Sequence, residues 1–128
     1  MVEVSHIFVY GTLRRGQGAN RNFGMEQHAE FVKTCKLTGA AIYHLGGFPG
    51  LKFEDGSEVV GDLYKVTEPR LMRALDSYEG YREDDPAGSL YIRREIDIEG
   101  TKAYTYEYNH NIRNQNTRIV SGDWFQAA

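Results

Sequence analysis

Two neighbouring segments near the C-terminal end carry the clearest structural pattern in this chain. Three isoleucines share one parity in residues 91–98, and three tyrosines share one parity in residues 102–109. Alternation with a period of two is typical of a strand that buries one face. The dipeptide Glu99-Gly100 lies between the two segments and favours a tight turn. The sequence therefore predicts an antiparallel hairpin here.

Three other segments are also rich in β-branched and aromatic residues. Residues 5–10 predict a buried strand, residues 31–45 predict a strand with a bulge at Gly39, and residues 59–66 predict a further strand. Residues 54–56 read Glu-Asp-Gly, which favours a hairpin turn because Asp-Gly supports positive φ angles. At least five strands are therefore expected.

One segment has a clear helical pattern. Leu71, Leu75 and Tyr78 recur at helical spacing along one face after Thr67, which is a good helix cap. Gly80 is well placed to end this helix. Residues 22–29 predict a shorter helix of a turn or two.

Glycine, proline and charged residues mark three predicted loops, at residues 14–20, 46–50 and 82–89, and the first of these is expected to be exposed. Strands outnumber helices, and the 128 residues contain no internal repeat or low-complexity linker. We therefore expect a single domain over residues 1–128, of the mixed α+β class and dominated by a sheet or barrel.

Composition and charge argue against several function classes. The chain has 15 Lys and Arg against 18 Asp and Glu, and its net charge of -3 offers no basic footprint for nucleic acid. No apolar run approaches the roughly 20 residues of a membrane span. The lone Cys35 allows no intramolecular disulfide, which is typical of the cytoplasm. The histidines are spread along the chain without metal-ligand spacing, so no metal is predicted.

The loop after the first predicted strand is the first candidate site. It comprises Tyr10, Gly11, Thr12 and Leu13, and Gly11 permits backbone conformations that other residues resist. Such a loop can turn its amide N–H groups toward a carboxylate or a carbonyl oxygen. No Gly-Lys-Ser/Thr sequence follows it, which disfavours a phosphate-binding loop. Taken by itself, this tetrapeptide is more often an ordinary turn after a core strand.

Glu79 is the second candidate, because it lies where the main predicted helix ends. The helix dipole opposes a negative charge at that end. If the carboxyl group is buried among its aromatic neighbours, its pKa rises toward the range that suits a general base. A solvated Glu beside a helix end is the commoner alternative for an isolated Glu-Gly pair.

Several short motifs occur in an order that resembles the γ-glutamylcyclotransferase-like family, and together they cover nearly the whole chain. This family includes AIG2-like proteins and γ-glutamylamine cyclotransferases. The motifs are residues 8–16 (Phe-Val-Tyr-Gly-Thr-Leu-Arg-Arg-Gly), 46–50 (Gly-Gly-Phe-Pro-Gly), 60–64 (Val-Gly-Asp-Leu-Tyr), 75–81 (Leu-Asp-Ser-Tyr-Glu-Gly-Tyr), 91–94 (Tyr-Ile-Arg-Arg), 103–106 (Ala-Tyr-Thr-Tyr) and 119–124 (Ile-Val-Ser-Gly-Asp-Trp).

The resemblance implies a mixed fold around a small β-barrel, with one main helix and short flanking helices. It also implies a reaction without a cofactor, in which a small γ-glutamyl compound cyclises to 5-oxoproline and releases its amine. In this interpretation Glu79 is the general acid and base, and residues 10–13 bind the γ-glutamyl group. Donation from the backbone amides of Gly11, Thr12 and Leu13 is our hypothesis.

Two alternatives stay open at this point. One is a small-ligand-binding module that keeps the fold without turnover, and the other is a pathway-specific enzyme for another γ-glutamyl-capped metabolite. Tyr91 and Tyr106 are candidates for the cavity wall, and residues 16–20, 46–50 and 82–89 are expected to set the leaving-group specificity. No coiled-coil pattern occurs, so a monomer is expected.

Overall fold

The computed structural model describes residues 4–112, 114 and 117–126, and a five-stranded sheet forms its centre. The strands are β1 (His6–Val9), β2 (Ala29–His44), β3 (Pro49–Val66), β4 (Tyr91–Ile98) and β5 (Thr101–Tyr108). The α-helices are α1 (Gly18–Asn22), α2 (Met25–His28) and α3 (Arg70–Tyr78), and short 3₁₀ turns cover Pro86–Gly88 and Trp124–Gln126.

Strand β1 lies at the centre of the sheet, and both of its faces are buried. It pairs antiparallel with β3 and parallel with β5. Ile7 and Val9 pack with the helices on one face, whereas Phe8 and Tyr10 pack into a second cluster on the other. Burial on both faces explains why residues 5–10 read as a nearly continuous apolar run.

The predicted C-terminal hairpin is confirmed. Strands β4 and β5 pair antiparallel from Tyr91 opposite Tyr108 to Ile98 opposite Thr101. Glu99 and Gly100 between them have φ angles of 49° and 86°. Positive φ at both central residues is the requirement of a type I′ hairpin turn.

The mixed α+β class is confirmed. The word barrel describes the sheet only loosely, because the sheet is not closed. Among the described residues, the strand order is β2-β3-β1-β5-β4, which leaves β2 and β4 at the edges of an open sheet. The predicted bulge at Gly39 is present, as a register shift between Thr38 and Ala40 in the pairing of β2 with β3.

The hairpin predicted at residues 54–56 is wrong. Strand β3 pairs with β2 on both sides of this segment, so residues 54–57 loop out of a continuing strand. Gly56 has a φ of 84°, so the positive φ angle that Asp-Gly favours is used in this irregularity of the strand. It is not used in a chain reversal. The reversal occurs earlier, where the amide of Leu45 donates to the carbonyl of Phe48.

Helix boundaries differ from the prediction at three places. The helix predicted over residues 22–29 is two short helices, α1 and α2, separated at Gly24, whose φ is 61°. The prediction of an exposed loop over residues 14–20 is wrong in part, because residues 18–20 begin α1 and the side chains of Arg14 and Asn20 are buried. Thr67 does not cap α3, because its hydroxyl donates to the carbonyl of His28 and the helix begins after Pro69.

Helix α3 follows its predicted pattern at two of three positions. Leu71 and Leu75 are buried in the cluster that contains Ile7 and Val9, whereas Tyr78 is 51% exposed. Gly80, at a φ of 70°, follows the end of the helix as predicted. Within the described ranges, no helix is long and apolar enough to cross a membrane.

Candidate active site

A cavity with a volume of about 280 Å³ lies where β1 ends. Its walls come from the loop after β1, the turn before β3, the end of α3, and strands β4 and β5. Tyr10, Gly11, Thr12, Leu13 and Glu79 all line it. The structure thus brings together all five residues that the sequence singled out.

Close packing explains why glycine occupies the second position of the loop. A Cβ atom on Gly11 would lie 2.7 Å from Cγ of Pro49, which also lines the cavity. The carbonyl of Gly11 accepts a hydrogen bond from the amide of Arg14, which closes a turn. Any side chain at position 11 would push the loop away from Pro49.

The amide groups of the same loop are free to bind a ligand. The carbonyls of Thr12 and Leu13 accept hydrogen bonds from the backbone and side chain of Asn20. By contrast, the N–H groups of Gly11, Thr12 and Leu13 donate to no described residue. Unpaired backbone donors beside a cavity are unusual, and they offer positive partial charge to an anionic or carbonyl oxygen.

Glu79 is the only acidic residue among those described on the cavity wall. Its backbone caps the end of α3 by donating to the carbonyl of Leu75. Its surface is partly open to the cavity, but its carboxyl group is deeply surrounded and accepts no hydrogen bond from the described residues. Burial raises the pKa of Glu79 to about 7, from an ordinary value of 4.5. A carboxyl group in this range can take and return a proton near neutral pH.

Three tyrosines complete the inner wall, and the predicted positions of Tyr91 and Tyr106 are confirmed. The hydroxyl of Tyr10 donates to the carbonyl of Tyr106 at 2.7 Å, and that of Tyr91 donates to the carbonyl of Pro49 at 2.6 Å. Burial is the largest cause that raises the pKa of all three tyrosines, and the nearby charge of Glu79 raises them further. The hydroxyls therefore stay protonated and keep donating these hydrogen bonds.

The outer wall is apolar, and the sequence located only part of it. Phe48, Tyr78 and Leu90 line the cavity, and Phe48 comes from the predicted specificity segment 46–50. The other two predicted segments, residues 16–20 and 82–89, contribute no lining residue. Among the described residues, no cluster of three or more His, Cys, Asp or Glu side chains is suited to hold a metal ion.

The chain matches the family model described as "Gamma-glutamyl cyclotransferase, AIG2-like" over residues 7–126. It belongs to this family. The predicted family, fold class and type of enzyme, γ-glutamylcyclotransferase-like, are therefore confirmed.

Individual members of the family are similar over most of their length. The Niallia circulans protein named "Gamma-L-glutamyl-butirosin B gamma-glutamyl cyclotransferase" is 31% identical, with 94% of this chain and 76% of the relative covered. The Escherichia coli γ-glutamylcyclotransferase family protein YtfP is 30% identical, with 92% and 94% covered. The solution structure of YtfP has a TM-score of 0.69 at 28% identity, and the match covers 94% of this chain and 96% of that one.

A buried ion cluster joins three of the family-like motifs, which lie far apart in sequence. The guanidinium of Arg14, from the loop after β1, lies 2.8 Å from the carboxylate of Asp123 and 3.4 Å from that of Asp62. Asp62 also accepts hydrogen bonds from the amide of Arg15 and the hydroxyl of Thr34, each at 2.8 Å. We call Arg14, Asp62 and Asp123 the Arg14 cluster. It fixes the cavity-lining loop after β1 to β3 and to the C-terminal segment.

A second charged contact fixes the helix that carries Glu79. Asp76, one turn earlier on α3, accepts hydrogen bonds from the hydroxyl of Tyr106 at 2.6 Å and from the guanidinium of Arg93 at 2.7 Å. These two partners lie on β5 and β4. The sequence showed Asp76 and Arg93 inside two family-like motifs, but no local pattern indicated that they meet.

Proposed function

We propose that this chain cyclises the γ-glutamyl group of a small γ-glutamyl amide to 5-oxoproline and releases the attached amine, with Glu79 as acid and base. One observation carries the proposal: a carboxyl group whose pKa is about 7 lines the same cavity as three unpaired backbone amides. The reaction needs this combination, because the substrate supplies its own nucleophile.

Binding supplies the orientation. In the proposal, the amides of Gly11, Thr12 and Leu13 bind the oxygens of the γ-glutamyl group, including the carbonyl oxygen that becomes an oxyanion. Preorganised donors of this kind stabilise the charge that develops in the transition state. The closed wall of Tyr10, Tyr91 and Pro49 favours the folded substrate, in which the α-amine approaches the γ-carbonyl.

The raised pKa of Glu79 suits it to accept and return the protons of this reaction. The carboxylate takes a proton from the substrate α-ammonium group, and the free amine attacks the γ-carbonyl carbon. The new C–N bond closes the ring. Glu79 gives its proton to the leaving nitrogen as the electron pair returns from the oxyanion and the C–N bond to the leaving amine breaks. Glu79 then removes the second proton from the ring nitrogen and passes it to the released amine, which departs as an ammonium ion.

The direct test is product analysis on a panel of γ-glutamyl amino acids, γ-glutamyl-ε-lysine, γ-glutamyl alkylamides and glutathione. We expect 5-oxoproline and the free amine in equal amounts from at least one of them. Binding without product from any member would support the non-catalytic module instead. Product only from a larger γ-glutamyl-capped metabolite would support the pathway-specific alternative. The Niallia circulans relative is named for a substrate of this kind, γ-L-glutamyl-butirosin B.

Asp76 provides a test of how Glu79 is positioned. Asp76→Ala removes the partner of both Tyr106 and Arg93, so the end of α3 should shift and kcat should fall by about 10-fold to 100-fold. Asp76→Asn keeps a hydrogen-bond acceptor for Tyr106 and should retain more activity. Glu95→Ala is the control, because Glu95 forms an exposed ion pair with Lys102 at 3.7 Å on the same hairpin. Equal kcat values for Asp76→Ala and Glu95→Ala would contradict this role.

Other expectations stay predictions. They are a cytoplasmic location, a monomeric state, and activity without a metal or other cofactor.

The thiol of Cys35 is buried, and burial raises its pKa to about 11. It is therefore poorly suited to act as a nucleophile.

A further inference from the structure

We infer that the leaving amine of the substrate is apolar and carries no carboxylate, and that Phe48, Tyr78 and Leu90 select it. The inference rests on the proposed cyclisation, because it concerns the part of the substrate that lies outside the γ-glutamyl group. We call these three side chains the apolar rim.

Exposure of the apolar rim is the first argument. Phe48, Tyr78 and Leu90 are 42%, 51% and 42% exposed, although each also lines the cavity. Large apolar side chains grouped at the opening of a site commonly mark a surface that a ligand covers. The inner part of the cavity holds the loop amides and Glu79, so the rim is left for the leaving group.

The rim is also firmly built. The amide of Leu90 donates to the carbonyl of Gly80, and its carbonyl accepts from the amide of Asn109. Phe48 lies in the turn that its own carbonyl closes with Leu45. The ring of Tyr78 packs edge to face on Phe23, with centroids 4.9 Å apart. Three segments distant in sequence thus hold apolar groups at fixed positions beside one opening.

Charge gives the second argument. No Lys, Arg or His is among the described residues that line the cavity, and the one charged side chain there is the acidic Glu79. The hydroxyls of Tyr10, Tyr91 and Tyr106 already donate to protein acceptors. A carboxylate on the leaving group would therefore find no cation, and it would lie close to a negative charge. The α-carboxylate of the γ-glutamyl group differs, because the loop amides are available to it.

Two matched pairs of substrates isolate these features. γ-Glutamyl-isopentylamide and γ-glutamyl-leucine share an alkyl chain and differ by one carboxylate, as do γ-glutamyl-ethylamide and γ-glutamyl-alanine. We expect kcat/KM to be at least about 10-fold higher for each amide than for its carboxylate partner. We also expect at least about a 10-fold advantage of isopentylamide over ethylamide, from contact with the rim.

The chain offers a matched pair of variants for the same test. Phe48→Arg places a cation on the rim. Phe53→Arg makes the same change at a residue that is similarly exposed, 43% against 42%, and does not line the cavity. Phe48→Arg should reduce the preference for isopentylamide over γ-glutamyl-leucine by about 10-fold or more. Phe53→Arg should leave that ratio unchanged. Thermal unfolding of both variants confirms that each is folded.

The possible outcomes separate the two proposals. If no γ-glutamyl compound yields 5-oxoproline, the proposed function fails. If 5-oxoproline forms but γ-glutamyl-leucine reacts as fast as isopentylamide, the cyclisation stands and the inference about the leaving group is overturned. An unchanged ratio in a folded Phe48→Arg variant would likewise overturn the role of the rim.

Discussion

Glu79→Gln is expected to lower the rate of 5-oxoproline release by about 10² to 10⁴, the usual loss when a general base is removed. Glutamine keeps the size of the side chain and its hydrogen-bonding capacity, but it cannot accept a proton from the α-ammonium group. Substrate affinity should change little, because the loop amides that bind the γ-glutamyl group are untouched. Steady-state release of the amine, with binding followed by calorimetry, measures both quantities.

The pH dependence should disappear with the carboxyl group. Because burial raises the pKa of Glu79 to about 7, the wild-type kcat/KM should fall as the pH drops below that value and the base becomes protonated. The Glu79→Gln variant should have low activity without this acidic limb. Glu83→Gln, the same change at an exposed position four residues later, should keep both the wild-type rate and the limb.

Stability should change in the opposite direction to activity. The folded pKa of Glu79 lies above the ordinary 4.5, so the native state binds the proton more tightly than the unfolded chain does. Its contribution to stability is full below pH 4.5 and is lost as the pH rises through about 7. At pH 8, Glu79→Gln should therefore unfold with a free energy up to about 3 kcal/mol higher than the wild type, at about 1.4 kcal/mol per pKa unit.

This pairing makes the assignment easy to refute. Loss of activity together with loss of stability would indicate that Glu79 supports the fold, not the reaction. Full activity in a stable variant would remove Glu79 from the mechanism altogether. Urea unfolding at pH 8 and pH 5, on the same preparations as the kinetics, distinguishes these cases.

Sequence reasoning found the centre of the site because several weak signals shared one order. A strand-end glycine and a Glu at the end of a helix are each common in proteins without function there. Their place among family-like motifs led to Gly11 and Glu79, and both residues line the same cavity in the structure. The alternating pattern of β4 and β5 also sufficed for the hairpin, because its turn and its register are local.

Errors arose where the outcome depends on pairing between distant residues. Asp55-Gly56 suits a hairpin turn and a strand irregularity equally well, and only the register of β3 against β2 decides between them. The hydroxyl of Thr67 could cap α3, but the carbonyl of His28 lies close enough to accept its hydrogen bond. Only Phe48 of the apolar rim lies in a predicted specificity segment, and Tyr78 and Leu90 were missed because the three members come from separate segments.

Arg14 and Arg15 show this limit most clearly, because neighbouring arginines at the start of a predicted loop look equivalent. In the structure the side chain of Arg14 is 5% exposed and that of Arg15 is 62% exposed. Asp62 and Asp123, which make the difference, lie far along the chain. Adjacent positions with the same side chain therefore give a matched experiment on the value of burial.

Arg14→Ala should lower the free energy of unfolding by about 3 kcal/mol or more, the usual cost of removing one partner from a buried ion pair. Asp62, whose side chain is 3% exposed, would keep its hydrogen bonds from Arg15 and Thr34 but lose its cation. Asp123 would lose the ion pair that joins the C-terminal segment to the loop after β1. Because the Arg14 cluster fixes the loop of Gly11, Thr12 and Leu13, activity should fall even where the variant remains folded.

Arg15→Ala is the control for this change. Its guanidinium lies 3.6 Å from the carboxylate of Glu26 at an exposed position, and such pairs contribute about 0 to 1 kcal/mol. The backbone amide that donates to Asp62 is retained in this variant. Urea unfolding of the two variants should therefore differ by at least about 2 kcal/mol. Equal stabilities would mean that Asp62 is satisfied by its remaining hydrogen bonds alone, and that the Arg14 cluster does not hold the loop.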